Sequence, residues 1–113
     1  KLSQAYPFKL SYILQPFPSW MNKQLSSEEL DLFRYLDSFY ETSTINSFLT
    51  QEIYQEYTKE LSKLCSDFEI SYFDSNRLFS KYIGPTDWVF VDRVHLTDHG
   101  NAKLAQMISS LLD

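Results

Sequence analysis

Phe90-Val91-Asp92-Arg93-Val94-His95-Leu96-Thr97-Asp98-His99-Gly100-Asn101 is the stretch from which the rest of the chain is read, because it sets a carboxylate three residues before a histidine at the mouth of a predicted helix. In a Ser-His-Asp relay the imidazole takes the proton of the serine, while the carboxylate fixes the ring tautomer and stabilises the imidazolium that forms. Two intervening residues bring both side chains to one site only if the backbone turns tightly there. Thr97 fits the N-cap of the following helix, which continues through the apolar positions Leu104, Ala105 and Ile108.

The segment resembles the last block of the SGNH (GDSL-type) esterases and lipases, in which an Asp-x-x-His pair completes the triad and Leu-Thr-x-x-Gly leads into the C-terminal helix. The likeness here runs from Val89 and Val91, through Val94 between the pair, to Leu96-Thr97 and Gly100-Asn101. It implies that Asp92 orients the imidazole and His95 acts as the base. It further implies an α/β fold, a flavodoxin-like parallel sheet of five strands with flanking helices. The implied activity is carboxylic ester hydrolysis by a Ser-His-Asp mechanism, on small esters, lipids or O-acetylated sugars, with no cofactor and no metal.

The other blocks of that family are missing. A Gly-Asp-Ser stretch for the nucleophile, and the Gly and Gly-x-Asn-Asp stretches that build an oxyanion hole, do not occur, and the only glycines are Gly84 and Gly100. The resemblance therefore covers the C-terminal strand-helix-strand-helix part of such a domain, from Tyr12-Ile13-Leu14-Gln15-Pro16 to the end. Residues 1–113 are expected to be a single partial domain, with the serine on an N-terminal segment or a complementing chain. Alone, the chain is expected to be inactive. An open parallel edge beside apolar helix faces is an aggregation hazard that the missing part would cover.

Composition agrees with a packed domain: 43% of the 113 residues are hydrophobic and 17% aromatic, enough for a core and too much for a disordered tail. A net charge of −5 and a pI near 4.9, with no Lys/Arg cluster beyond isolated pairs, argue against nucleic-acid or anionic-membrane partners. No apolar run reaches the ~20 residues that span a bilayer. The single Cys65 cannot form an internal disulfide.

The spacing predicts strand, helix, helix, strand, loop, helix. Phe8 to Leu14 reads as a strand inside a sheet, stopped at Gln15-Pro16 where proline cannot donate to a ladder. The loop Phe17-Pro18-Ser19-Trp20-Met21 is expected to cover the sheet end rather than line a cleft. Ser26-x-x-Glu29 makes a capping box for a helix from Ser27 to Tyr40, with Leu30, Phe33 and Leu36 on its inner face. Ile45, Leu49, Ile53, Tyr57, Leu61, Leu64 and Phe68 recur at three- and four-residue steps and read as the core stripe of a second helical region. Ile70 to Asp74 is a second strand, Ser75 to Phe79 a turn and short helix, and Gly84 to Asp87 a loop.

Two strands linked by a long helical stretch imply a parallel crossover. Sites in such sheets lie beyond the carboxyl ends of strands, so Gln15, Asp74 and the Asp92–His95 loop are expected on one rim. Gln15 is a candidate substrate contact there, and Asp74 a turn-former. Three other readings of the motif stand beside the hydrolase. His95 and His99 could share a metal with Asp92 and Asp98, although a Thr97 cap would put the two rings on different faces. The fold could be a non-catalytic remnant that binds acyl or glycan ligands or a partner. Asp92 could merely cap a turn.

Overall fold

Tyr12, Ile13 and Leu14 favour extended backbone, and Ser11–Leu14 forms the first strand, β1, in the computed structural model, which describes residues 8–112. It pairs in parallel with β2 (Ser71–Asp74), in the register Ser11↔Ser71 to Leu14↔Asp74. The strand expected from Phe8 therefore begins later, because its partner is only four residues long. The parallel crossover holds, and these are the only two strands in the sheet among the described residues. With helices making up most of the remainder, the fold is mixed α/β.

Four helices separate the strands: α1 (Pro18–Met21), α2 (Ser27–Phe39), α3 (Ser43–Phe48) and α4 (Gln51–Asp67). After β2 come α5 (Ser75–Leu78), a 3₁₀ turn (Phe79–Lys81) and the long α6 (Asp98–Leu112). The stretch expected as a loop at Phe17–Met21 is instead a one-turn helix, with Pro18 in its first turn, where a missing N–H costs nothing. Its covering role stands. Trp20 is buried against Phe17 (ring centroids 4.9 Å) and Tyr54 (5.2 Å), closing a cluster with Leu14 and Leu49.

The capping box is formed in full: the Ser26 hydroxyl accepts from Glu29 N–H (3.2 Å) and the Glu29 carboxylate accepts from Ser26 N–H (2.8 Å). The inner face of α2 differs from the expected one, since Leu30 is exposed while Glu29 and Phe33 are buried. Glu29 faces inward because its carboxylate has further work. It also accepts Val89 N–H (3.1 Å), Phe90 N–H (2.9 Å) and the Lys23 ammonium (2.6 Å). Lys23 in turn donates to the carbonyls of Gln24 and Asp87, so the buried charge pair is hydrogen-bonded on both sides. Around it lies the second core, Phe33, Phe79, Val89, Phe90 and Met107.

The periodic stripe is the main correction. It breaks at Leu49-Thr50, where the Thr50 hydroxyl accepts from Ile53 N–H and starts α4 afresh. Ile45, Ile53, Tyr57, Leu64 and Phe68 are exposed, and the residues on the sheet are Tyr54 and Cys65, with Leu61 half-buried. The rotation turns Tyr54 inward, where its ring packs on Trp20 and its hydroxyl donates to Asp74 at the end of β2. It gives α4 two unlike flanks. Tyr57 stands beside Trp20 (5.9 Å) and the Tyr12 hydroxyl of β1. On the other side Gln55, Thr58, Lys59 and Ser62 border a cleft of about 820 Å³ with Tyr72, Phe73, Asp74 and Arg77. Among the described residues no helix is long and apolar enough to cross a membrane.

Candidate functional site

The loop carrying Asp92 and His95 is closed at its base by main-chain bonds. Phe90 and Leu96 form an antiparallel bridge, Val91 N–H donates to His95 C=O (3.0 Å), and Thr97 N–H to Val89 C=O (2.8 Å). Inside this closure the Asp92 carboxylate accepts the backbone N–H groups of Val94 (2.8 Å) and His95 (2.7 Å), the geometry by which Asp stabilises its own turn. The tight turn that the two-residue gap demands is therefore made by the acid of the pair.

The same carboxylate reaches the ring. His95 Nδ1 lies 2.9 Å from Oδ2 and 3.0 Å from Oδ1 of Asp92. Burial pushes the Asp92 carboxyl up, but donation from Val94 N–H, the His95 ring and His95 N–H outweighs it and holds the group below its ordinary value. An ionised carboxylate at Nδ1 selects the tautomer with its proton there, leaving Nε2 as the acceptor. Nε2 makes no hydrogen bond to the described residues, and the side chain is 70% exposed.

The segment after the pair is anchored as firmly. The Thr97 hydroxyl accepts from Gly100 N–H (2.9 Å), which caps α6. Gly100 is required by close approach: a Cβ there would lie 2.4 Å from the Val89 carbonyl oxygen, so α6 meets the Val89 backbone directly. Arg93 pairs with Asp37 of α2 (2.8 Å) and lies over the Phe33 ring, fastening the loop to that helix.

Gln15, Asp74 and the Asp92–His95 loop do share a rim. The Gln15 amide donates to Val94 C=O (2.6 Å), and Asn76 joins Gln15 to Asp74 by donating to the Gln15 carbonyl (3.1 Å) and to Asp74 Oδ1 (3.0 Å). Asp74 caps α5 through Asn76 N–H, which is the turn-forming role expected of it. His99 turns elsewhere, 3.8 Å from Asp87, so the two imidazoles address different carboxylates. Among the described residues no group of three or more His, Cys, Asp or Glu is placed to hold a metal. An apolar cavity of about 520 Å³, lined by Trp88, Val91, Leu96 and His99 among others, adjoins the loop.

Sequence reading overlooked Asn76 and the inward role of Glu29. The Asp74-Ser75-Asn76 run after a strand is a recognisable Asx turn, whereas nothing local to Glu29 announces partners at Val89 and Phe90. No protein-family model matches the chain, and comparison with curated proteins finds no match.

Proposed function

We propose that Asp92 and His95 are the acid and base of a serine ester hydrolase of the SGNH type, whose serine and oxyanion donors lie on a segment outside this chain. The observation that carries the reading is the double hold on His95. One carboxylate takes both its backbone N–H and its ring Nδ1, leaving Nε2 directed to open space. A residue that merely capped a turn would have no need of the second contact.

In this mechanism His95 Nε2 accepts the serine proton as Oγ attacks the acyl carbon, then returns it to the departing alcohol oxygen. Water replaces the alcohol, loses a proton to the same nitrogen as its oxygen bonds the acyl carbon, and the acid leaves as the acyl–Oγ bond breaks and Nε2 returns that proton to the serine Oγ. Asp92 remains ionised throughout and holds the imidazolium in place. The flavodoxin-like sheet proposed for the whole domain has its natural extension at β1, which pairs with β2 on one side and has the exposed Tyr57 of α4 beside its Tyr12. The polar flank at β2 suits solvent.

The test uses the complete polypeptide, or this chain with its complementing partner, treated with a fluorophosphonate probe and weighed intact under denaturing conditions. A serine adduct is expected, with p-nitrophenyl acetate hydrolysis falling by about 10³-fold or more in His95→Ala. Unchanged hydrolysis in that variant would refute the assignment. Retained ligand binding with no adduct would turn the conclusion to a non-catalytic binding protein.

A further inference from the structure

Gln15 lies far from the Asp92–His95 pair in sequence, and its place on the rim suits a substrate contact. Its amide, however, donates to the Val94 carbonyl at 2.6 Å. That carbonyl belongs to the peptide joining Val94 to His95, and the N–H of the same peptide is given to Asp92 at 2.7 Å. One peptide plane is thus gripped at both ends, by an amide on one side and by a carboxylate on the other. The plane is the base from which the His95 side chain springs. Hydrogen bonds in series polarise one another, so a donor on the C=O strengthens the N–H that faces Asp92.

Gln15 is itself held. Asn76 is buried, with its Nδ2 on the Gln15 main-chain carbonyl (3.1 Å) and its Oδ1 accepting Phe17 N–H (2.9 Å), which brackets the main chain around Pro16. Asp74 takes both the backbone and side-chain N–H of Asn76, and its other oxygen takes the Tyr54 hydroxyl. A line of hydrogen-bonded residues therefore runs from Tyr54 of α4 through Asp74 and Asn76 to the Gln15 main chain, and the Gln15 side chain carries it on to the peptide before His95.

We infer that Gln15, fixed by Asn76, is a positioning residue that sets the orientation of the His95 imidazole by holding the Val94–His95 peptide. Its activity readout rests on the hydrolase reading above, whereas its spectroscopic readout does not. A misplacement of a reacting group by about 1 Å is enough to cost on the order of 10²-fold in rate.

The experiment compares Gln15→Met, which keeps length and removes the donor, with Gln15→Lys, which restores a donor able to reach the carbonyl. Both changes are at an exposed side chain, so the fold is retained. In the complete polypeptide, long-range proton–nitrogen spectra of the His95 ring report the tautomer, and p-nitrophenyl acetate hydrolysis reports kcat and KM. Gln15→Met is expected to raise the share of the Nε2–H tautomer and to lower kcat about 10- to 100-fold with KM little changed; Gln15→Lys recovers both. A ring spectrum and a kcat that are the same in Gln15→Met as in the parent overturn the inference. If the parent shows no hydrolysis, the hydrolase reading fails, and the tautomer shift in Gln15→Met still decides the role of Gln15.

Discussion

The molecule has two cores, and they differ in how completely they are closed. Around Glu29, the side chains of Phe79, Val89, Phe90 and Met107 have no solvent exposure, and Met21, Leu25, Leu78, Ile83, Leu96 and Leu104 are among those packed against that cluster. At the sheet, Leu14, Trp20, Leu49 and Tyr54 are buried, but next to them Tyr57, Leu64 and Phe68 stand in the open. The contrast is one of sealing: the central side chains beside the Asp92–His95 loop are shut off from solvent, whereas at the sheet the buried Trp20 stands next to the half-exposed Tyr57.

The sharpest way to break this comparison is at the closed core. Glu29→Ala takes the carboxylate from the Lys23 ammonium and leaves the N–H groups of Ser26, Val89 and Phe90 without their acceptor, and should destabilise by about 3–5 kcal/mol in urea unfolding. A loss under about 1 kcal/mol would mean that this core admits water to the freed groups and is not closed. Next comes Gly100→Ala. The added methyl meets backbone rather than a movable side chain, so α6 must shift, at about 1–3 kcal/mol by thermal melting.

At the sheet, Tyr54→Phe removes one hydroxyl and should cost about 1 kcal/mol. Burial, then the bond to Asp74, push the Tyr54 phenol up to about 12 from 10.0. A group whose folded value is raised contributes stability that is fully present below its unfolded value and lost as pH climbs through the folded one. The gap between parent and Tyr54→Phe should therefore close between pH 10 and about 12, which denaturant titrations at stepped pH would record. A gap that widened over that range would assign the stability to a different group. Smallest is Phe68→Ser, expected within about 0.5 kcal/mol because the ring is half in solvent. If it cost as much as Gly100→Ala, the two cores would be alike after all.

Features settled within a few residues were legible in the sequence. Ser26 and Glu29 announce the start of α2, Thr97 and Gly100 that of α6, and the Asp92–His95 spacing calls for the tight turn that is found. Both strands and their parallel sense also follow from the aromatic runs and the helices between them. Illegible were features settled across the chain. The facing of α4 brings Tyr54 to Asp74 and buries Cys65, contacts made across the chain, and a helical stripe of large apolar residues outvotes them in any periodic reading. Glu29 meets Val89 and Phe90, and Gln15 meets Val94, through polar contacts that leave no period behind them. The one-turn α1 is too short for periodicity, and its proline reads as loop.

Cys65 turns the underside of α4 into a clock. It is the chain's one thiol, 3% exposed between helix and sheet, and burial pushes its titration up, so an alkylating reagent is kept from the sulfur while the helix is seated. Modification then proceeds only in the intervals when α4 lifts, and its rate counts those openings. Anything that settles over the apolar flank should lengthen the interval, readable by mass alone in a protein carrying no added label.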